Sequence, residues 1–130
     1  MAMKINSKEI ESVIGLSGDR RYAYFIKKAA DQNQVWGLWN EGWAMGMTDE
    51  GTRTIPVWPA KEYAELCRIG DWRDFQPKPI PLQEFMHEML PDFAKQGVRV
   101  SIFDIPDEGS VLVSDEEFTG DLESELSKIE

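Results

Sequence analysis

The side chains that most often do catalysis are scarce in this sequence. It holds one histidine, His87, and one cysteine, Cys67. On a helix over 82–90, His87 falls off the apolar stripe and points to the polar side, where an ordinary surface imidazole is expected. Cys67 shares a helix face with Tyr63 and Ala64, which predicts a buried, inert thiol. A Cys67–His87 nucleophile pair would require both side chains to leave these orientations. One Cys and one His cannot supply zinc ligands of the usual composition, so neither a metal nor a cofactor is expected. The string Asp104-Ile105-Pro106-Asp107-Glu108-Gly109 is too short, and too poor in spaced ligands, for a calcium loop. No P-loop, dinucleotide fingerprint or nucleophile elbow occurs. Paired carboxylates remain at Asp49-Glu50 and Asp107-Glu108, each beside a glycine. Turn tips select Asp for hydrogen bonds to the local backbone, whereas general acid catalysis needs an enclosed carboxyl. No catalytic residue is therefore assigned. A small hydrolase using carboxylates, or Cys67 with His87, is the alternative to a non-enzymatic role.

The elements that would position these groups follow from periodicity. Asn6 and Glu9 have capping-box spacing ahead of a helix over 6–16. Ser17-Gly18 breaks it, and a second helix over 19–32 places Tyr22, Phe25, Ile26 and Ala29 inward, with Arg20, Arg21, Lys27 and Lys28 on a solvated face. The period then becomes alternating. Val35–Trp39, Trp43–Met47 and Arg53–Val57 read as an antiparallel meander joined by Asn40-Glu41-Gly42 and Asp49-Glu50-Gly51, type I turns each closed by a left-handed glycine. Pro56 lacks a donor, which predicts an edge or strand-end position. A helix over 60–69 follows Pro59. Residues 71–81, with Pro77, Pro79 and Pro81, are expected to be extended and poorly paired. Leu82, Phe85, Met86, Met89 and Leu90 form the cleanest helical stripe, with Pro91 kinking or restarting the helix. Val98–Phe103 and Val111–Val113 read as a strand pair around Asp107-Glu108-Gly109. Ser114 and Glu117 cap a last helix in which Phe118, Leu122, Leu126 and Ile129 align.

The aromatic residues carry the functional information. In the meander, Trp39 faces Trp43, Met45 faces Ile55 and Trp36 lies across from Gly46. Trp36, Leu38, Thr54 and Trp58 then share one sheet face. That face is either buried by helices or, with Trp72, lines a groove for a ligand or partner, since Trp is enriched at binding hot spots. These five residues are the candidate binding site.

Length and charge bound the rest. A chain of 130 residues is expected to form one α+β domain spanning 1–130, with an antiparallel or mixed sheet of about five strands and helices packed on it. Its net charge is −10, and residues 104–130 hold ten acids against one base. Such a chain repels phosphate backbones, so nucleic acid is not an expected partner. The acidic end reads as a solvated helix face or as a surface for a basic protein. The N-terminus lacks the basic head and apolar body of a signal peptide, and no window has about 18 uninterrupted apolar residues. A cytoplasmic location without membrane contact is the expectation.

Tyr22-Ala23-Tyr24-Phe25-Ile26-Lys27, Val35-Trp36-Gly37-Leu38, Gly42-Trp43-Ala44 and Ile55-Pro56-Val57-Trp58-Pro59 resemble an uncharacterised bacterial family, domain of unknown function 2750. Over residues 55–118, Ile55-Pro56-Val57-Trp58 before an acidic helix, and Val100–Val113 before Ser114-Asp115-Glu116-Glu117-Phe118, are similar to the amino-terminal domain of enhanced-serine-sensitivity (SseB) proteins. The second likeness implies helices against a sheet and an association with toxin-immunity or secretion neighbourhoods. Neither supplies a catalytic motif. A protein- or peptide-binding module of immunity-type or regulatory role is the leading expectation.

Overall fold

The computed structural model describes residues 5–106 and 109–129. The first four residues, the Asp107-Glu108 pair of the last predicted turn, and Glu130 lie outside the described residues.

Asn6 caps α1 (Ser7–Ile14) by accepting from the Glu9 amide at 2.9 Å, and Ser17 caps α2 (Gly18–Gln32). α2 turns Phe25, Ile26, Ala29 and Ala30 into the core. Arg21, expected on the solvated face, is instead only 4% exposed. Its Nη1 donates to Leu16 O at 3.3 Å and its guanidinium lies 5.9 Å from the centre of the Phe103 ring. A planar, weakly hydrated cation tolerates such a face where an ammonium would not.

The predicted meander holds on one side and opens on the other. β2 (Gly46–Met47) pairs antiparallel with β3 (Arg53–Val57) in the expected register, Gly46 opposite Thr54, through the Asp49-Glu50-Gly51 turn with Gly51 at φ +90°. β1 (Gln34–Trp39) pairs with the next segment as a single bridge, Trp39–Trp43, with the Ala44 amide donating to Leu38 O at 2.8 Å, and there Glu41, not Gly42, takes the left-handed position. Residues 71–81 are the largest departure. Gln76–Pro81 is a strand, β4, paired with β1 at six positions from Gln34–Pro81 to Trp39–Gln76. The amide of Leu82 donates to Asn33 O at 3.0 Å, which sets the phase of this ladder. Gln76, Lys78 and Ile80 then turn their amides toward β1, and Pro77, Pro79 and Pro81 fall on the positions that face away. Prolines spaced by two remove no bond from an antiparallel pair.

β3 lies inside a four-stranded sheet of order β2, β3, β5 (Arg99–Ile105), β6 (Gly109–Val111), with β3 and β5 parallel. Pro56 is accommodated because β2 ends at Gly46, leaving that edge of β3 without a donor to satisfy. One step on, Trp58 exchanges both backbone hydrogen bonds with Trp36, at 2.8 and 2.9 Å. β1 thus takes over where β2 stops, and Pro56 stands in the gap. Trp36 consequently lies beside Pro79 and Trp58, not Gly46. The bare glycines are covered by other groups. A side chain at Gly37 would meet the Trp43 ring at 2.9 Å, and one at Gly46 the Thr54 hydroxyl at 2.9 Å.

α3 (Lys61–Leu66) crosses from β3 toward β4 and buries Tyr63 and Ala64. The apolar stripe after β4 runs along α4 (Leu82–Glu84), a π-helical turn over Phe85–Met89, and α5 (Leu90–Lys95). Leu90 N–H bonds back to Phe85 O. The wide turn sits just before Pro91, which has no amide to give to His87 O. α6 (Asp115–Ile129) packs on α2 through Phe118 and Leu122, with Leu126 half-buried and Ile129 54% exposed. Its Asp121 accepts the Tyr22 hydroxyl at 2.6 Å. Helices and sheet thus enclose one core centred on Phe25, Trp58, Tyr63, Phe85, Phe103 and Phe118, as an α+β fold requires. Among the described residues no helix is long and apolar enough to cross a membrane.

Candidate functional site

The ladder between β5 and β6 slips by one residue between Ile102–Val111 and Ile105–Gly109. Phe103 sits in this bulge at φ +61°. A bulky residue in that region costs about 1–3 kcal/mol and persists only where its surroundings hold it. Here Phe103 is fully buried, with the rings of Tyr63, Tyr24 and Phe25 centred 4.9, 6.2 and 6.5 Å away. Bulges re-aim the side chains next to them, and the neighbour is Asp104. The backbone carbonyl of Asp104 turns inward and accepts Trp58 Nε1–H at 2.8 Å and the Cys67 thiol at 3.3 Å. Its half-buried carboxylate accepts the Ser101 hydroxyl at 2.6 Å and also hydrogen-bonds Ser110. Burial pushes this carboxyl above its usual pKa, with the two hydroxyls and the Arg21 charge opposing the shift only in part.

Asp104 lines a cleft of about 530 Å³ whose walls include Met47, Thr54, Trp72, Ser101 and Ser110, with Asp49 and Glu50 also on its lining. A second hollow of about 600 Å³ adjoins it across Gly46, Met47 and Trp72, and is lined further by Met45, Arg53, Ile69 and Asp71. On the shared wall Met47 is 67% exposed, and in the second hollow Ile69 is 60% exposed. Exposed apolar groups beside a concave polar floor are what binding sites offer. A third hollow, of about 520 Å³, lies between the Met86–Leu90 wall and the acidic residues Asp115, Glu116 and Glu123 of α6.

The five residues singled out from the sequence divide. Thr54 and Trp72 meet in the cleft. Trp58 is fully buried and stands behind it, edge-on to Trp72 at 6.1 Å. Leu38 is 1% exposed, and Trp36 is half-buried where β1 meets Trp58. Cys67 is buried, and its thiol pKa is pushed up to about 12 by desolvation. His87 is exposed on the π-helical turn. Among the described residues no group of three His, Cys, Asp or Glu side chains converges as metal ligands would. Sequence reasoning missed Asp104, Ser101, Ser110 and Met47 as members of one site. Ser101 and Asp104 are three apart on a strand, a spacing that sends side chains to opposite faces. Only the bulge unites them.

A family model described as protein of unknown function (DUF2750) matches residues 22–122. The chain belongs to the DUF2750 family. No curated protein and no solved structure matches it. The DUF2750 span takes in every residue of the Asp104 cleft and both bridged tryptophan pairs. It leaves out α1 and the last turns of α6.

Proposed function

We propose that this DUF2750 protein is a non-enzymatic module that binds a basic peptide or protein segment in the paired hollows around Trp72. One observation carries the reading: an apolar wall of exposed Met47 and Ile69 with half-buried Trp72 stands beside the carboxylates of Asp49, Glu50, Asp71 and Asp104. Apolar area supplies contact and the acids select charge. The net charge of −10 would steer a basic partner toward the chain. An immunity-type or regulatory role is the concrete form we favour, on the likeness of residues 55–118 to the SseB domain.

The second reading, a small hydrolase, is favoured only by the raised pKa of Asp104 inside a cleft. Its Cys67–His87 version has little support, because a thiol held protonated is a poor nucleophile and His87 stands exposed on another element. Selection of a displayed random-peptide library on the full-length protein tests the proposal. Enriched peptides should be basic with apolar neighbours, and Trp72→Ala should abolish their retention. Absence of enrichment, or retention indifferent to Trp72→Ala, would sink it.

A further inference from the structure

The floor of the cleft is more specific than its charge. Among the described residues, Asp104 is the carboxylate set between hydroxyls there. Its oxygens already receive Ser101 and Ser110, with Ser101 at 2.6 Å. A guanidinium prefers a carboxylate with two oxygens free side by side, whereas an ammonium is a compact point donor with three hydrogens. Such a group can donate to Asp104 and to hydroxyl lone pairs at once. Around the floor stand Met47, Trp72 and Leu112, and apolar walls suit an alkyl stem whose head alone is charged.

We infer that the cleft reads a lysine side chain of the bound peptide, its ammonium seated on Asp104 among Ser101, Ser110 and Thr54 and its stem against Met47, Trp72 and Leu112. The inference rests on the peptide-binding reading and names the residue that reading leaves open. A peptide, not a free amine, is the source because the cleft continues past Gly46 and Met47 into the hollow at Met45 and Ile69. That hollow gives the residues flanking the lysine a surface to lie on. A carboxylate that burial lifts above its usual pKa, despite two hydroxyl donors and Arg21 nearby, gains from a further cation.

The test passes three degenerate peptide libraries over immobilised full-length protein, identical except for a fixed central lysine, Nε-acetyl-lysine or arginine. Retention of the lysine library should exceed that of the acetyl-lysine library by on the order of tenfold or more, the worth of one charge-assisted hydrogen bond. The arginine library should fall between them. Asp104→Asn, which keeps the shape and can still accept from Ser101, should remove the lysine preference. n-Butylamine, the free stem and ammonium, should compete only at far higher concentration. If wild-type protein retains lysine and acetyl-lysine equally, or arginine as well as lysine, the ammonium assignment is overturned. Peptide binding would still stand in that case, provided Trp72→Ala abolishes retention of all three. If nothing is retained, both readings fall. Should Asp104→Asn not fold, the comparison of libraries on wild-type protein decides alone.

Discussion

At the Trp58 end of β3 the indole is sealed from solvent, whereas at the Thr54 end Trp72 stands half-buried over a polar floor. Trp58 has no exposed surface, its indole N–H is used on Asp104 O, and its backbone is stitched to Trp36. Further along β1, Trp39 and Trp43 meet edge-on at 4.8 Å with the Lys78 ammonium 4.1 Å from the Trp39 ring. Trp39 and Trp43 thus find their ring partners in each other. Trp72 meets Trp58 edge-on, packs half-buried against the core and turns its remaining surface to the cleft. A tryptophan-rich stretch thus marks a site where a ring keeps open surface beside polar groups, as Trp72 does in the cleft.

The sharpest way to break this contrast is Trp58→Ala. It should cost about 3–5 kcal/mol in urea melts, because a full cavity opens and Asp104 O loses its indole donor. A cost below about 1 kcal/mol would mean that the two ends of β3 do not differ as described. Next in size is Leu122→Ala, at about 2–5 kcal/mol. Ile129→Ala on the same stripe should stay within about 0.5 kcal/mol, since that side chain is 54% exposed. Equal costs would show the α6 stripe docking along its whole length.

Cys67 sharpens the contrast through pH. Its folded pKa lies at about 12 against an ordinary 9.0. Above pH 9 the unfolded thiol releases its proton while the folded one keeps it. The contribution is therefore intact below pH 9 and stability falls as pH rises from 9 to about 12. The alkaline slope of wild-type stability should exceed that of Cys67→Ala, and a thiol reagent should label native protein slowly and unfolded protein fast. Rapid native labelling at neutral pH would reopen the nucleophile reading. The smallest effect on folding belongs to Met47→Ala. With 67% of its surface exposed, its loss should move stability by no more than about 0.5 kcal/mol while lowering peptide retention. Unchanged retention would remove Met47 from the site.

Helices were legible in the sequence where caps and stripes agreed, as at Asn6 to Glu9 and from Phe118 to Leu122. The β2–β3 register was legible because Asp49-Glu50-Gly51 fixes the turn. Pairing of β1 with β4 was not, since it joins residues some forty positions apart and the prolines of β4 argue against pairing until their phase is known. Of the site, Thr54 and Trp72 could be named from alternation and residue type. Asp104 could not, because a bulge shifts the alternation that would place it, and the strained Phe103 that marks the bulge is, in sequence, one more core aromatic.

The proline positions on β4 have a consequence for how copies of this chain can meet. Away from β1, that strand offers carbonyls at Pro77, Pro79 and Pro81 but no amide hydrogens, so an incoming extended segment finds no alternating donor and acceptor to zip onto. The opposite sheet ends in short strands, two residues at β2 and three at β6. Neither margin offers a long backbone template for fibre growth or domain exchange. Among the described strands, self-association through side chains is therefore favoured over backbone pairing, and side-chain contacts are open to control by charge and salt.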